Sequence, residues 1–262
     1  MAHSLAQDNA TRQKIDQGIF DNPEVWQACV DLAACFRMAA RLGMEEGICN
    51  HFSAVVPGFD NYFIVNPFGL AFDEMRASDL IICDFEGNVV KGERAPEITA
   101  YFIHARVHSK LPRARVALHT HMPHATSLAM VEGQPLQWAG QTALKFYGRT
   151  AVDAFNGLAL DAREGDRIAA AIGDADVVFM RNHGVMVVGR TIAEAWNDLY
   201  YLERACEVQL LAESTGRRLL PVAPELAAAT AAQMRAGGNE SAVQHLASVK
   251  RRLLKTDPDY FL

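Results

Sequence analysis

No run of about 18 uninterrupted apolar residues occurs in the sequence, so no segment is read as a membrane span. A basic excess is missing as well: 25 lysines and arginines stand against 31 aspartates and glutamates, for a formal charge of -6. A nucleic-acid face needs the opposite balance, and the trio Lys250-Arg251-Arg252 alone is read as a solvated helix face. There is no CxxC. The cysteines Cys29, Cys35, Cys49, Cys83 and Cys206 lie scattered through apolar segments and are expected to be small buried hydrophobes in a reducing compartment. No GxGxxG or P-loop follows a strand, which excludes the usual dinucleotide and kinase-type phosphate sites. Residues Met1 to Gln13 lack the apolar core of a secretory signal, so the expected location is cytoplasmic.

What is present is ordinary for a globular domain, with 50% hydrophobic and 21% charged residues in 262. Residues 1–262 are read as a single domain, with 1–22 a flexible N-terminal arm and 221–262 a C-terminal helical tail. Val25, Cys29, Leu32 and Phe36 repeat at a helical period, predicting a first helix over Pro23 to Leu42, capped by Asn22 and stopped by Gly43. Strands are predicted over Gly47 to Pro57, Tyr62 to Val65 and Ser78 to Phe85, then a helix from Ala95 to Leu111 that Pro112 ends. A strand over Arg115 to His121 and a helix from Pro123 to Val131 follow. Residues 132–160 carry no decisive pattern, although Lys145-Phe146-Tyr147-Gly148-Arg149 places polar tips beside apolar bodies and suits a pocket wall. A helix over Arg163 to Ile172, strands over Ala175 to Met180 and Val185 to Val188, and a long helix from Thr191 to Thr215 complete the body. This interleaving predicts an α/β class fold, a three-layer α/β/α arrangement around a central mixed, largely antiparallel sheet.

The chemistry concentrates in histidines. His119 and His121 stand two apart at a strand end, so their side chains share one face and can converge on a metal ion; as a pair alone they equally suit two polar positions on a half-exposed strand. His183 provides the third imidazole, placed between two apolar strands, with Gly184 expected to give the tight turn that swings it inward. Three histidines suit zinc, or manganese, iron or cobalt, and leave a coordination position open. His124 starts the next helix and is expected to cap or support rather than to ligate. His104 and His108 share a helix face, His108 with solvent exposure expected. Asn50, His51 and Ser53 interrupt an otherwise apolar strand and are candidate binders of a substrate anion or carboxylate.

Three segments together resemble the class II aldolase and adducin head family, in its adducin-like branch: Asn50-His51-Phe52-Ser53 with Asn66-Pro67-Phe68-Gly69, the Ile103-His104 helix running into His119-Thr120-His121-Met122-Pro123-His124, and Asn182-His183-Gly184. The resemblance covers about Val25 to Glu213, with Asp257-Pro258-Asp259-Tyr260 similar as well. It implies a divalent metal held by His119, His121 and His183, and a homotetramer with sites near subunit boundaries. Sugar-phosphate aldolases of the family carry an acid nineteen residues before the first metal histidine. Here that position is Ala100, with Glu97 one helical turn earlier as a candidate fourth ligand or acid/base. Phe68 replaces a small hydroxyl residue of the phosphate cradle, which argues against a phosphorylated substrate. The reading that follows is a metal-dependent lyase acting on a small oxo- or hydroxy-carboxylate by retro-aldol cleavage or decarboxylation. Glu97, Tyr147 and a neighbouring subunit's copy of Tyr260 are the candidate proton-transfer groups, with Arg149 or Arg181 as carboxylate holders. The alternatives are an iron oxygenase on the same histidines and a non-catalytic adducin-like binding module.

Overall fold

The computed structural model describes Gly18, Ile19 and residues 21–262, so the arm expected over 1–22 falls almost wholly outside the described residues. Helix α1 (Pro23–Arg41) starts where Asn22 caps it, its side chain accepting from the Glu24 amide at 2.9 Å, and ends before Gly43 at φ 64°. The strands β1 (His51–Val55), β2 (Tyr62–Val65), β3 (Ile81–Asp84) and β4 (Val89–Lys91) form a meander. Helix α2 (Ile98–Lys110) then leads to β5 (Val116–Thr120), which returns beside β1. Two short helices, α3 (Pro123–Ala129) and α4 (Gln141–Leu144), precede β6 (Thr150–Asp153) and α5 (Ala162–Ile172). The hairpin β7 (Val177–Met180) and β8 (Gly184–Gly189), the long α6 (Ile192–Glu213), and α7 (Pro224–Ala236) with α8 (Gly238–Thr256) finish the chain before a 3-10 turn at Pro258–Phe261.

The eight strands make one sheet in the order β4-β3-β2-β1-β5-β8-β7-β6, antiparallel throughout except for the β6/β7 pair. Mixed and largely antiparallel, it is as the alternation of elements predicts. Strands β4 and β6, absent from the sequence reading, are the two edges. They are short and partly exposed, so neither carries the apolar run that marks a strand buried on both faces.

Alternation along each strand divides the side chains between two layers. Phe52, Ala54, Leu118, Val185 and Val187 face the larger core, packed under α1, α6 and α8 with Phe36 and Trp196. Phe36, Phe52 and Phe72 meet there at ring separations of 4.6–4.9 Å, and Phe52→Ala is expected to cost about 3–5 kcal/mol. Ala117, Val178, Met186 and Val188 face the other way, against Ile103 and Val107 of α2 and Ile168 of α5. His51, Ser53 and His119 share this second face, since His51 lies opposite His119 and Ser53 opposite Ala117 in the β1/β5 register. All of the cysteines are free; Cys49, expected in the core, is exposed in the loop before β1, and the other four are buried.

Candidate metal centre

One corner of the sheet gathers the three histidines. His119 lies in β5, His121 just beyond its end, and His183 in the turn joining β7 to β8. Register fixes their meeting, because Thr120 pairs with Val185 while Met180 pairs with Gly184. The ring centroids make a nearly equilateral triangle, 4.8 Å from His183 to each of the others and 5.0 Å between His119 and His121. One nitrogen from each lies within 4.8 Å of the other two.

The turn corrects one sequence expectation. Asn182, at φ 54°, takes the left-handed conformation that bends the chain, which a short polar side chain tolerates. Gly184 is needed for space instead: a Cβ there would lie 2.6 Å from the Thr120 carbonyl oxygen and 2.8 Å from Cδ2 of His121.

Hydrogen-bond accounting shows that the cluster is suited to a cation. Nδ1 of His119 sits 2.9 Å from the Val185 carbonyl oxygen, which can only accept, so Nδ1 carries the hydrogen and Nε2 keeps a lone pair. Nδ1 of His121 donates its hydrogen to the carboxylate of Glu46, so Nε2 is the nitrogen turned toward the cluster. The two Nε2 atoms then face each other 3.2 Å apart. Two nitrogens bound to one tetrahedral zinc at ~2.0–2.1 Å stand about 3.3 Å apart, so the residues present fit such an ion. Burial, with His121 nearby, pushes the pKa of His183 down to about 4, and burial drives that of His119 well below its usual range. Neutral imidazole is the form that ligates.

Glu46 carries no local signal in the sequence because it lies in a loop with no pattern of its own. Asn50 positions it: Oδ1 of Asn50 accepts from the Glu46 amide at 2.8 Å and from the His121 amide at 3.4 Å. The signal was its place four residues before Asn50, legible only once β1 is known to pair with β5. Asn50 itself is buried at this rim, and its Nδ2 is a buried donor without a partner. His51 is also buried, its ring stacked on that of His119 with centroids 4.8 Å apart. Ser53 is fully buried between His104 and His108, so it meets other side chains of the chain rather than open space. His108 is buried too, against expectation, because residues four apart on α2 share the face turned to the sheet.

The remaining candidates are engaged with other partners in this chain. Glu97 caps α2, its carboxylate accepting from the Ala100 amide at 2.9 Å and from the Thr99 hydroxyl, while Ala100 is buried in the first turn. Arg149 precedes β6 at the end of the sheet opposite His183. It binds Asp176 at 2.6 Å and Asp198 at 2.8 Å, with Lys145 also 2.8 Å from Asp198. Tyr147 packs edge-on against Trp138 two residues before Arg149. Tyr260 is 3% exposed within the larger core, across the sheet from the histidine face. Arg181 is spent on the carbonyls of Ala129, Val131 and Gly133. His124 meets Glu203, whose carboxylate also accepts from the amides of His124 and Ala125 at 3.0 Å, capping α3 as an anion at a helix N-terminus. A cavity of 60 Å³ adjoins His183, walled by Ile103, Phe155, Leu158 and Met180. The larger one, 460 Å³, surrounds Arg113, Lys145, Arg149 and Asp198 and contains none of the histidines.

Comparison with known proteins agrees with this architecture. The Class II Aldolase and Adducin N-terminal domain family model matches residues 30–210. Among solved structures, an aldolase II superfamily protein from Pseudomonas syringae superposes with a TM-score of 0.87 at 34% identity, covering 92% of this chain and 97% of its own. L-fuculose 1-phosphate aldolase from Glaciozyma antarctica PI12 superposes at 0.80 with 26% identity, covering 93% and 98%. Decarboxylase NovR of Streptomyces niveus is 30% identical over 189 residues, 71% of this chain and 69% of its own.

Proposed function

Since the chain belongs to the class II aldolase and adducin N-terminal domain family, we propose that it is a metal-dependent carbon–carbon lyase acting on a small oxo- or hydroxy-carboxylate. The observation that carries this reading is the convergence of one nitrogen from each of three histidines within 4.8 Å, with Nδ1 of His119 and of His121 turned away to Val185 and Glu46. His119, His121 and His183 would hold a divalent ion, zinc being the best fit to three imidazoles and manganese, iron and cobalt the other candidates. When bound, such an ion would supply Lewis acidity that stabilises the enolate oxygen formed in retro-aldol cleavage or in decarboxylation of a 3-oxo carboxylate.

The chain's own residues supply the rest. Glu46 holds the His121 ring in orientation through Nδ1. Asn50 offers its unspent Nδ2 hydrogen to a substrate oxygen at the same rim. Retro-aldol cleavage also needs a base for the substrate hydroxyl, and the acid that provides it in related aldolases is Ala100 here, while Glu97 is occupied in capping α2. Decarboxylation needs no such base, and a relative named as a decarboxylase supports it as the leading form. Family members also suggest a tetramer, in which Tyr147, Arg149 or Tyr260 would enter a site only from a neighbouring copy.

The test is a screen of small oxo- and hydroxy-carboxylates with zinc-, manganese-, iron- and cobalt-loaded protein, recording carbon dioxide, aldehyde and oxygen consumption. Metal-dependent carbon dioxide release is expected. Oxygen uptake that requires ferrous ion and substrate would identify an oxygenase instead, and metal-independent inertness would leave a binding module.

A further inference from the structure

Behind the triad, a second set of histidines is wired together with none of its polar atoms left open until the last ring. Nδ1 of His108 lies 2.6 Å from the Ala114 carbonyl oxygen, and its Nε2 lies 2.6 Å from Oγ of Ser53. The same Oγ meets Nδ1 of His104, whose Nε2 lies 2.7 Å from Nδ1 of His51. All four side chains are at most 5% exposed, and no carboxylate is among their hydrogen-bond partners. Burial lowers the pKa of His108 to about 4 and that of His104 well below its usual range, so these rings are neutral.

The hydrogens can then be assigned in order, because a carbonyl only accepts and a hydroxyl has one hydrogen. Ala114 forces His108 to donate from Nδ1, which leaves its Nε2 as an acceptor. Ser53 therefore donates to His108 and accepts from Nδ1 of His104. Nε2 of His104 becomes an acceptor in turn, and Nδ1 of His51 must donate to it. Nε2 of His51 is left with a lone pair. Among the described residues no hydrogen bond uses that atom, nor is it among the buried atoms that lack a partner. Its ring lies against His119, at the edge of the triad.

We infer that Ser53, His104 and His108 are positioning residues that lock His51 with its hydrogen on Nδ1, so that Nε2 accepts a hydrogen bond from a hydroxyl of the substrate. This rests on the metal-site reading and narrows its substrate class. A lone pair at this position disfavours a carboxylate, so His51 is not the anion binder its sequence suggests. The donor for an anion is Asn50, and the two neighbours together select a carboxylate that also bears a hydroxyl.

Neutron diffraction from perdeuterated, zinc-loaded crystals tests the wiring directly. The expected map has deuterium on Nδ1 of His108, His104 and His51 and none on Nε2 of His51; deuterium on that Nε2 overturns the inference. If zinc fails to bind, the metal-site reading falls, while the deuterium map still decides the wiring. Calorimetry tests the recognition: zinc-loaded wild type should bind hydroxypyruvate about tenfold more tightly than pyruvate, in the range that outer residues of metal sites command. Ser53→Ala should lose that preference at unchanged zinc stoichiometry, and Ser53→Thr should restore it. Equal binding of the two acids by the wild type, or none of either, overturns the substrate assignment.

Discussion

The histidine corner and the arginine–aspartate cluster lie at opposite ends of the same strands, and they treat their polar atoms in opposite ways. Around Arg149 every charged group has a partner, three cations matched to two carboxylates by sharing: Asp176 takes Arg149 and Arg113, and Asp198 takes Arg149 and Lys145, all at 2.6–2.8 Å. At the corner, two imidazole Nε2 atoms face each other at 3.2 Å and a neighbouring amide donor has no partner. A matched cluster has nothing left to offer a ligand and contributes to holding the fold together, whereas groups held apart from their complements are prepared for one. The larger cavity is at the matched end and the chemistry is at the other.

Removing a member of the triad should break this contrast with the largest effect. His119→Ala or His183→Ala is expected to abolish stoichiometric metal binding and to lower any metal-dependent activity by at least about 10²–10³-fold, measured by metal analysis and steady-state rates. Glu46→Gln keeps the ligand set and weakens only its support. Metal affinity should fall by about 10–100-fold in chelator competition, with the fold unchanged.

The matched end should respond in stability alone. Arg149→Ala leaves Asp176 and Asp198 short of a partner, and a loss of about 2–4 kcal/mol in urea unfolding is expected, discounted for partial exposure, with metal content unchanged. A drop in metal binding at unchanged stability would erase the distinction between the two ends.

His108 sharpens the comparison through pH. Burial holds its folded-state pKa at about 4, below the usual 6.5, so the unfolded chain takes up the proton first on acidification. Its contribution to stability is complete above pH 6.5 and is lost as pH falls toward 4, by about 3 kcal/mol for a single group shifted this far. His108→Gln should flatten the wild-type slope of stability against pH across that window by up to one proton. Glu97→Ala should have the smallest effect: loss of the α2 cap costs about 1 kcal/mol by thermal melting, with metal affinity unaltered, since its carboxylate serves the Ala100 amide.

The parts of the molecule that were legible in the sequence are those whose signal is local. Asn22 and Gly43 bound α1 because capping depends on a few adjacent residues, and His119 with His121 was readable because strand alternation puts them on one face. Glu46 was not, since it reaches His121 only through strand pairing between segments about 70 residues apart. His108 was misplaced because its helix period is clear while the partner of that face, Ser53, comes from a different strand. Arg149 and Tyr147 were drawn to the site by chemical type, whereas β6 carries them to the far end of the sheet. Strand β6 itself, four residues long at an edge, has too little apolar pattern to announce its position.

The corner is proposed to hold one divalent ion on His119, His121 and His183. Metal analysis of protein purified without chelator, followed by titration of the stripped protein with zinc, tests it most directly. One zinc per chain is predicted for the wild type and none held tightly by His121→Ala. Equal zinc retention by both proteins, or no binding of zinc, manganese, iron or cobalt by the wild type, would contradict the account.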